Sequence, residues 1–155
     1  MSTFEWQDIL SVGCDVIDSQ HKQIFDIVNE LCDGVRRNHG ASVEMTRKSL
    51  AALCAYTRNH FAEEERLMQA AEYPDFERHK QAHDQLVARI VEFEARLRAG
   101  GVKDANEVLP FLVGEWLSHH IAFEDQQYAG YLKRYLGRER ARLRLWRCQS
   151  VEAVG

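Results

Sequence analysis

Seven histidines are spread along this 155-residue chain, and five of them fall where spacing suits metal ligation. They are His21, the first residue of His60-Phe61-Ala62-Glu63-Glu64, both ends of His79-Lys80-Gln81-Ala82-His83, and the first residue of His120-Ile121-Ala122-Phe123-Glu124-Asp125. On an α-helix, residues four apart share a face one turn from each other. His60 with Glu64, and His79 with His83, can therefore each aim two donor atoms at one point. A single histidine on an apolar helix face is ordinarily a hydrogen-bonded core residue. Five of them with buried carboxylates would cost several kcal/mol per unpaired charge, a conflict that cations remove. Imidazole suits iron, zinc, copper and nickel alike. There is no HExxH and no pair of CxxC motifs, so the usual zinc patterns are absent. Five histidines and two carboxylates exceed the needs of one tetrahedral ion. Two ions bridged by two carboxylates would use them all.

Four helices are needed to bring these segments together. The first is predicted from about Ser19 to Arg37, capped by Ser19 or Asp18, with Ile24, Phe25, Val28, Leu31, Cys32 and Val35 in the stripe that holds His21. Asn38-His39-Gly40 ends it, with His39 in an exposed turn. The second runs from a cap at Ser42 to about Ala71. Tyr73-Pro74-Asp75 breaks it, since proline turns the preceding residue away from helix, and Asp75 can cap the third, about Phe76 to Ala99. Gly100-Gly101 closes that one. The fourth is expected over roughly Asp104 to Tyr135, with Leu109, Leu112, Val113, Trp116, His120, Phe123, Tyr128, Tyr131 and Tyr135 facing inward. Pro110 is awkward inside it, so the helix either begins one turn earlier or bends there. Before the first helix, Phe4, Trp6, Ile9, Leu10, Val12 and Val16 form an apolar arm expected to lie along the others. The fold class is all-α: an antiparallel up-down-up-down four-helix bundle with an N-terminal arm and a short C-terminal helix or tail.

Trp6 to about Leu132 resembles the bacteriohemerythrin family, the bacterial relatives of hemerythrin and myohemerythrin. The matching stretches are Ser11-Val-Gly13 with Ile17-Asp-Ser-Gln-His21, His60-Phe-Ala-Glu-Glu64-Glu-Arg-Leu-Met68, Tyr73-Pro-Asp-Phe-Glu-Arg-His79-Lys-Gln-Ala-His83, and Trp116-Leu-Ser-His-His120-Ile-Ala-Phe-Glu-Asp125. The resemblance implies two non-haem iron ions per chain with an oxo or hydroxo bridge. It assigns His79, His83 and His120 to one iron, His21 and His60 to the other, and Glu64 and Asp125 to both. Plain helical spacing would choose Glu124, four residues after His120, because Asp125 is rotated from His120 by about 140°. The family pattern selects Asp125 instead, and His120 over His119.

The implied activity is reversible binding of dioxygen, for storage or for delivery to an oxygen-using enzyme. Phe61, Trp116 and Leu117 would wall the oxygen pocket, although ordinary core packing accounts for the same three residues. Tyr128 would orient the bridging aspartate from outside the ligand set. The rival readings are a di-iron oxidase or peroxidase and an oxygen or redox sensor. Ferritin-like oxidases use paired Glu-x-x-His segments, and here no Glu stands three residues before any histidine. A carrier, not an enzyme, is the expectation.

The remaining features bound the setting. The acidic start lacks an apolar leader, no apolar run approaches the roughly 20 residues of a membrane span, and the four cysteines show no disulfide-like pattern. The expectation is a monomer of the cytoplasm that is not an integral membrane protein and binds no nucleic acid. Residues 133–155 hold seven Lys or Arg against two Glu, net +5, leaving −9 for residues 1–132 of the total −4. The chain therefore divides into a di-iron domain over residues 1–135 and a basic extension over residues 136–155, expected to dock as a short helix on the acidic bundle.

Overall fold

In the computed structural model, which describes residues 4–38, 43–100 and 105–152, every regular element is helical. Three α-helices, α1 (Asp15–Asn38), α2 (Val43–Ala70) and α3 (Phe76–Arg98), are followed by a fourth of mixed winding. That fourth helix is π-wound over Phe111–Glu124 and continues as α4 over Asp125–Glu152. Helix α2 packs against both α1 and α3, and the fourth helix closes the antiparallel bundle. None of the described helices is long and apolar enough to cross a membrane.

Each boundary has a local cause. Helix α1 begins at Asp15, four residues ahead of the predicted start, and Asp18 serves the arm as well as the helix. Its carboxylate accepts the Val12 N–H at 2.9 Å and the Ser11 hydroxyl at 2.6 Å, so the arm enters the first turn already tied. At the end of α2, Glu72 takes the left-handed conformation (φ 55°) and the Tyr73 N–H reaches the Met68 carbonyl at 3.0 Å, a helix stop made without glycine. Asp75 precedes α3 but makes no side-chain cap bond. Gly100, at φ 72°, closes α3 as expected. Pro110 stands at the start of the π-wound stretch behind a 3-10 turn (Ala105–Glu107), where its missing N–H costs nothing. The expected stops and caps at His39-Gly40, Ser42 and Gly101 lie outside the described residues.

Two apolar layers enclose a polar one. The larger contains Ile24, Leu31, Leu50, Ile90, Leu112 and Trp116, and the smaller contains Ile17, Met68, Tyr73, Tyr128 and Leu132. The arm lies along the bundle as predicted. The Phe4 N–H donates to Asn29 Oδ1 at 2.9 Å, Asn29 Nδ2 donates back to the Phe4 carbonyl at 2.8 Å, and Gln126 Nε2 donates to the Leu10 carbonyl at 2.8 Å. Trp6 sets its ring edge against Phe25, with centroids 5.9 Å apart. Gly13 (φ 79°) crosses α4 so closely that a Cβ there would lie 2.4 Å from Lys133 Cε.

Two expectations for the fourth helix are corrected. Phe123, placed on the inner stripe by a period of 3.6, is 58% exposed, because the π winding rotates it outward while Leu117 and Ile121 turn in. The basic extension is not a separate helix. It continues α4 to Glu152, and Arg138, Arg140, Arg142, Leu143 and Arg144 are exposed.

Candidate metal centre

Each helix contributes to the polar layer at its middle. His21 comes from α1, His60 and Glu64 from α2, His79 and His83 from α3, and His120 from the π-wound stretch with Asp125 at the first residue of α4. His21, His60, His79, Glu64 and Asp125 are wholly buried, and His83 and His120 nearly so. The predicted seven are brought together. Glu64, His79, His83, His120 and Asp125 place one ligand atom each within 4.8 Å of one another, and His21, His60 and Glu64 form a second such group.

The carboxylates stand between the two groups. Glu64 Oε1 lies 3.4 Å from His21 Nε2, while its Oε2 lies 3.5 Å from His60 Nε2 and 3.2 Å from His83 Nε2. Asp125 Oδ2 lies 3.1 Å from His21 Nε2, and its Oδ1 lies 3.2 Å from His79 Nε2 and 3.3 Å from His120 Nε2. These atoms are close without being hydrogen-bonded. All five Nε2 atoms, both Asp125 oxygens and Glu64 Oε2 are buried with no hydrogen-bond partner. Native interiors leave only a few such atoms unpaired per roughly 100 residues, and they are scattered. Eight in one layer, all lone-pair donors aimed inward, fit a site for cations.

Winding explains why Asp125 and not Glu124 joins the group. The Asp125 N–H bonds the His120 carbonyl, an i to i−5 link that stacks the aspartate over the histidine. Glu124 is turned aside, where it accepts from Arg78 Nη1 at 2.7 Å and lies 3.5 Å from His119 Nε2. The side chain of His119 is 64% exposed, against 2% for His120. His39 lies outside the described residues.

The electrostatics follow from crowding. Burial works to raise Glu64 and Asp125, yet the surrounding histidines hold both carboxyls well below the usual range. Burial also drives His60 and His120 down to about 4, keeping both neutral and able to donate lone pairs. For His21 burial is outweighed by Asp125 and Glu64, which lift it to about 9, and His83 is raised by Glu64 and Glu65 against the same opposing burial.

The surroundings are part expected and part new. Phe61 lies flat on His83, with centroids 3.7 Å apart and planes 5° from parallel, and it also meets His60 at 5.4 Å, His120 at 5.5 Å and Trp116 at 5.8 Å. Leu117 is buried in the same apolar layer. Tyr128 sits beside the cluster, but its hydroxyl donates to Glu64 Oε1 at 2.5 Å and not to the aspartate that sequence reasoning gave it. Burial and the nearby carboxylates push the Tyr128 phenol far up, which keeps it a donor. Sequence reasoning missed two outer partners: Gln20 Oε1, 2.9 Å from His60 Nδ1, and Glu65 Oε1, 3.0 Å from His83 Nδ1. Their only signal was position, each being the chain neighbour of a cluster residue.

Comparison with known proteins agrees with this geometry. Residues 12–132 match the family model described as the hemerythrin HHE cation binding domain. The chain is 36% identical over 140 residues to a bacteriohemerythrin of Stenotrophomonas maltophilia (strain R551-3), covering 88% of this chain and 86% of that one. It is 37% identical over 111 residues to a bacteriohemerythrin of Methylococcus capsulatus, covering 72% of this chain and 82% of the relative. A crystal structure of wild-type hemerythrin superposes with a TM-score of 0.74 at 32% identity, covering 84% of this chain and 98% of its own.

Proposed function

The chain belongs to the hemerythrin family, and from that premise we propose that it binds dioxygen reversibly at two non-haem iron ions held in the polar layer. The observation that carries this reading is the set of buried, unpartnered donor atoms, all five Nε2 among them. On this reading His79, His83 and His120 hold one iron, His21 and His60 hold the other, and Glu64 and Asp125 span both. The iron pair supplies the electrons that dioxygen takes up and gives back.

The chain's own residues do the rest. Two carboxylates would offset half the charge of two ferrous ions, and five neutral imidazoles would complete the coordination without adding charge, which suits a low-dielectric interior. Tyr128 fixes one Glu64 oxygen by its hydroxyl and leaves the other directed at the histidines. Phe61, Trp116 and Leu117 pack in the larger apolar layer, Phe61 against His83 and His120, and on this reading wall the oxygen pocket, limiting the water that would speed irreversible oxidation. The binding unit is assigned to residues 1–135, and the basic extension over residues 136–155 lies outside it. The role is that of a carrier, not an enzyme, serving storage or delivery to an oxygen-using enzyme.

Anaerobically reduced protein should contain two irons per chain, colour on exposure to oxygen without haem bands, and revert on evacuation. A single zinc, or oxygen consumed at every exposure without return, would refute the reading.

A further inference from the structure

The imidazole of His83 lies between the carboxylates of successive residues of α2 and is hydrogen-bonded to the outer one. Glu64 Oε2 lies 3.2 Å from its Nε2, and Glu65 Oε1 accepts from its Nδ1 at 3.0 Å. His60 has the equivalent outer bond, from Nδ1 to Gln20 Oε1 at 2.9 Å. The Nδ1 atoms of His21 and His79 have no hydrogen-bond partner among the described residues. Each of the two histidine groups therefore contains one ring anchored from behind. The anchors share a geometry and differ by one charge.

We propose that Glu65 is a positioning residue that makes the two metal positions unequal, favouring the higher oxidation state on the ion held by His79, His83 and His120. This rests on the di-iron reading above. A carboxylate that accepts Nδ1–H draws the proton outward and leaves more electron density on Nε2, making the ring a stronger donor to a metal. A neutral amide orients the ring equally well and polarises it less. Glu65 therefore stabilises positive charge on its side, and Gln20 leaves the His21–His60 position easier to keep reduced. The flat contact of Phe61 with His83 keeps the ring in the plane that the bond needs.

The effect is moderate, because Glu65 is not sealed from water. Its side chain is 22% exposed, at the mouth of a cleft of about 270 Å³ shared with Arg58, Lys80 and Asp84. Solvent and two cations dilute its charge. His83, 1% exposed, receives it through a direct hydrogen bond.

The test uses the full iron-loaded chain as wild type, Glu65→Gln, Gln20→Glu and the double variant. Iron per chain, midpoint potential and the electron paramagnetic resonance spectrum of the half-oxidised state are measured for each. Glu65→Gln should keep both irons and lower the ferric-to-ferrous ratio at fixed potential about tenfold, which is 59 mV for one electron. Gln20→Glu should move the ratio the other way. The double variant should return near the wild-type mean while changing the half-oxidised spectrum, since the charge now backs the other ion. An unmoved potential in iron-replete Glu65→Gln, or a shift of the same sign in both single variants, overturns the proposal and leaves the oxygen-binding reading standing. Should Glu65→Gln fail to load, Gln20→Glu decides alone, and an unmoved potential there overturns it too. A wild-type chain that holds no redox-active metal pair overturns both.

Discussion

Helix α2 and the fourth helix each bring a histidine and a carboxylate to the same layer, by different windings. In α2 the pair is His60 and Glu64, four residues apart on a regular α-helix. In the fourth helix it is His120 and Asp125, five apart, brought into line by π winding that ends at the ligand. Runs of π-helix are rare and concentrate at functional sites, because the wider turn gives up packing that a site must offset. The α2 pair needs nothing beyond its own helix. The fourth-helix pair exists only while the widened turns hold.

The largest expected effect tests whether the extra residue matters. With the proposed ligands, Asp125→Ala should empty the layer of iron, since it removes an oxygen donor to both ions and leaves neighbouring ligands unpaired. Glu124→Ala should keep two irons. It loses the Arg78 ion pair, half exposed on the arginine side, and the contact with exposed His119, at a cost of about 1 kcal/mol. His120→Ala and His119→Ala should divide in the same way. Iron lost from Glu124→Ala but kept in Asp125→Ala would show that the working register is the α-helical one.

A smaller effect should appear when metal is removed from the unaltered chain. Amide exchange measured with and without iron should accelerate more over Phe111–Glu124 than over α2, by about tenfold, equivalent to 1.4 kcal/mol of local stability. Equal acceleration in both helices would mean that the π winding is intrinsic to the apolar packing of Phe111, Leu112, Trp116 and Leu117, and that the site merely exploits it.

The smallest effect concerns the basic extension of the fourth helix. Truncation after Leu136 should change the melting free energy by no more than about 0.5 kcal/mol, because Arg138, Arg140, Arg142 and Arg144 are exposed. A clear loss of stability would restore the docking expected from charge alone. Helical content by circular dichroism should fall in step with the residues removed.

These differences mark what was legible in the chain. Helices α1 to α3 could be read to within a few residues, because period, breakers and ligand spacing agree along each. His60 with Glu64 and His79 with His83 are visible as geometry. Asp125 is not: a period of 3.6 selects Glu124, and only the resemblance pointed elsewhere. The same period put Phe123 inside. Winding depends on contacts across the bundle, and these leave no trace in local spacing. Gln20 and Glu65 were hidden for another reason: an outer partner's spacing is set by the neighbouring helix and not by its own. The extension misled because its charge complements the bundle and Gly137 stands where a helix could stop, whereas α4 runs straight through that glycine.

The arm has a consequence for rates. Trp6 lies with its ring centroid 6.2 Å from that of His21, so this segment helps to cover that edge of the polar layer. It is fastened by a few hydrogen bonds at Asn29, Asp18 and Gln126 and by the close crossing at Gly13. Peeling it back breaks those ties and withdraws Val12 and Cys14 from the smaller apolar layer and Phe4, Trp6 and Leu10 from the edge of the larger one, while the packing between the helices stays. With the proposed ligands, escape of an ion from the His21 side should be gated at residues 4–14 and need no melting of all four helices. A strong chelator should strip that position at a rate that stops rising with chelator concentration, at the opening frequency of the arm.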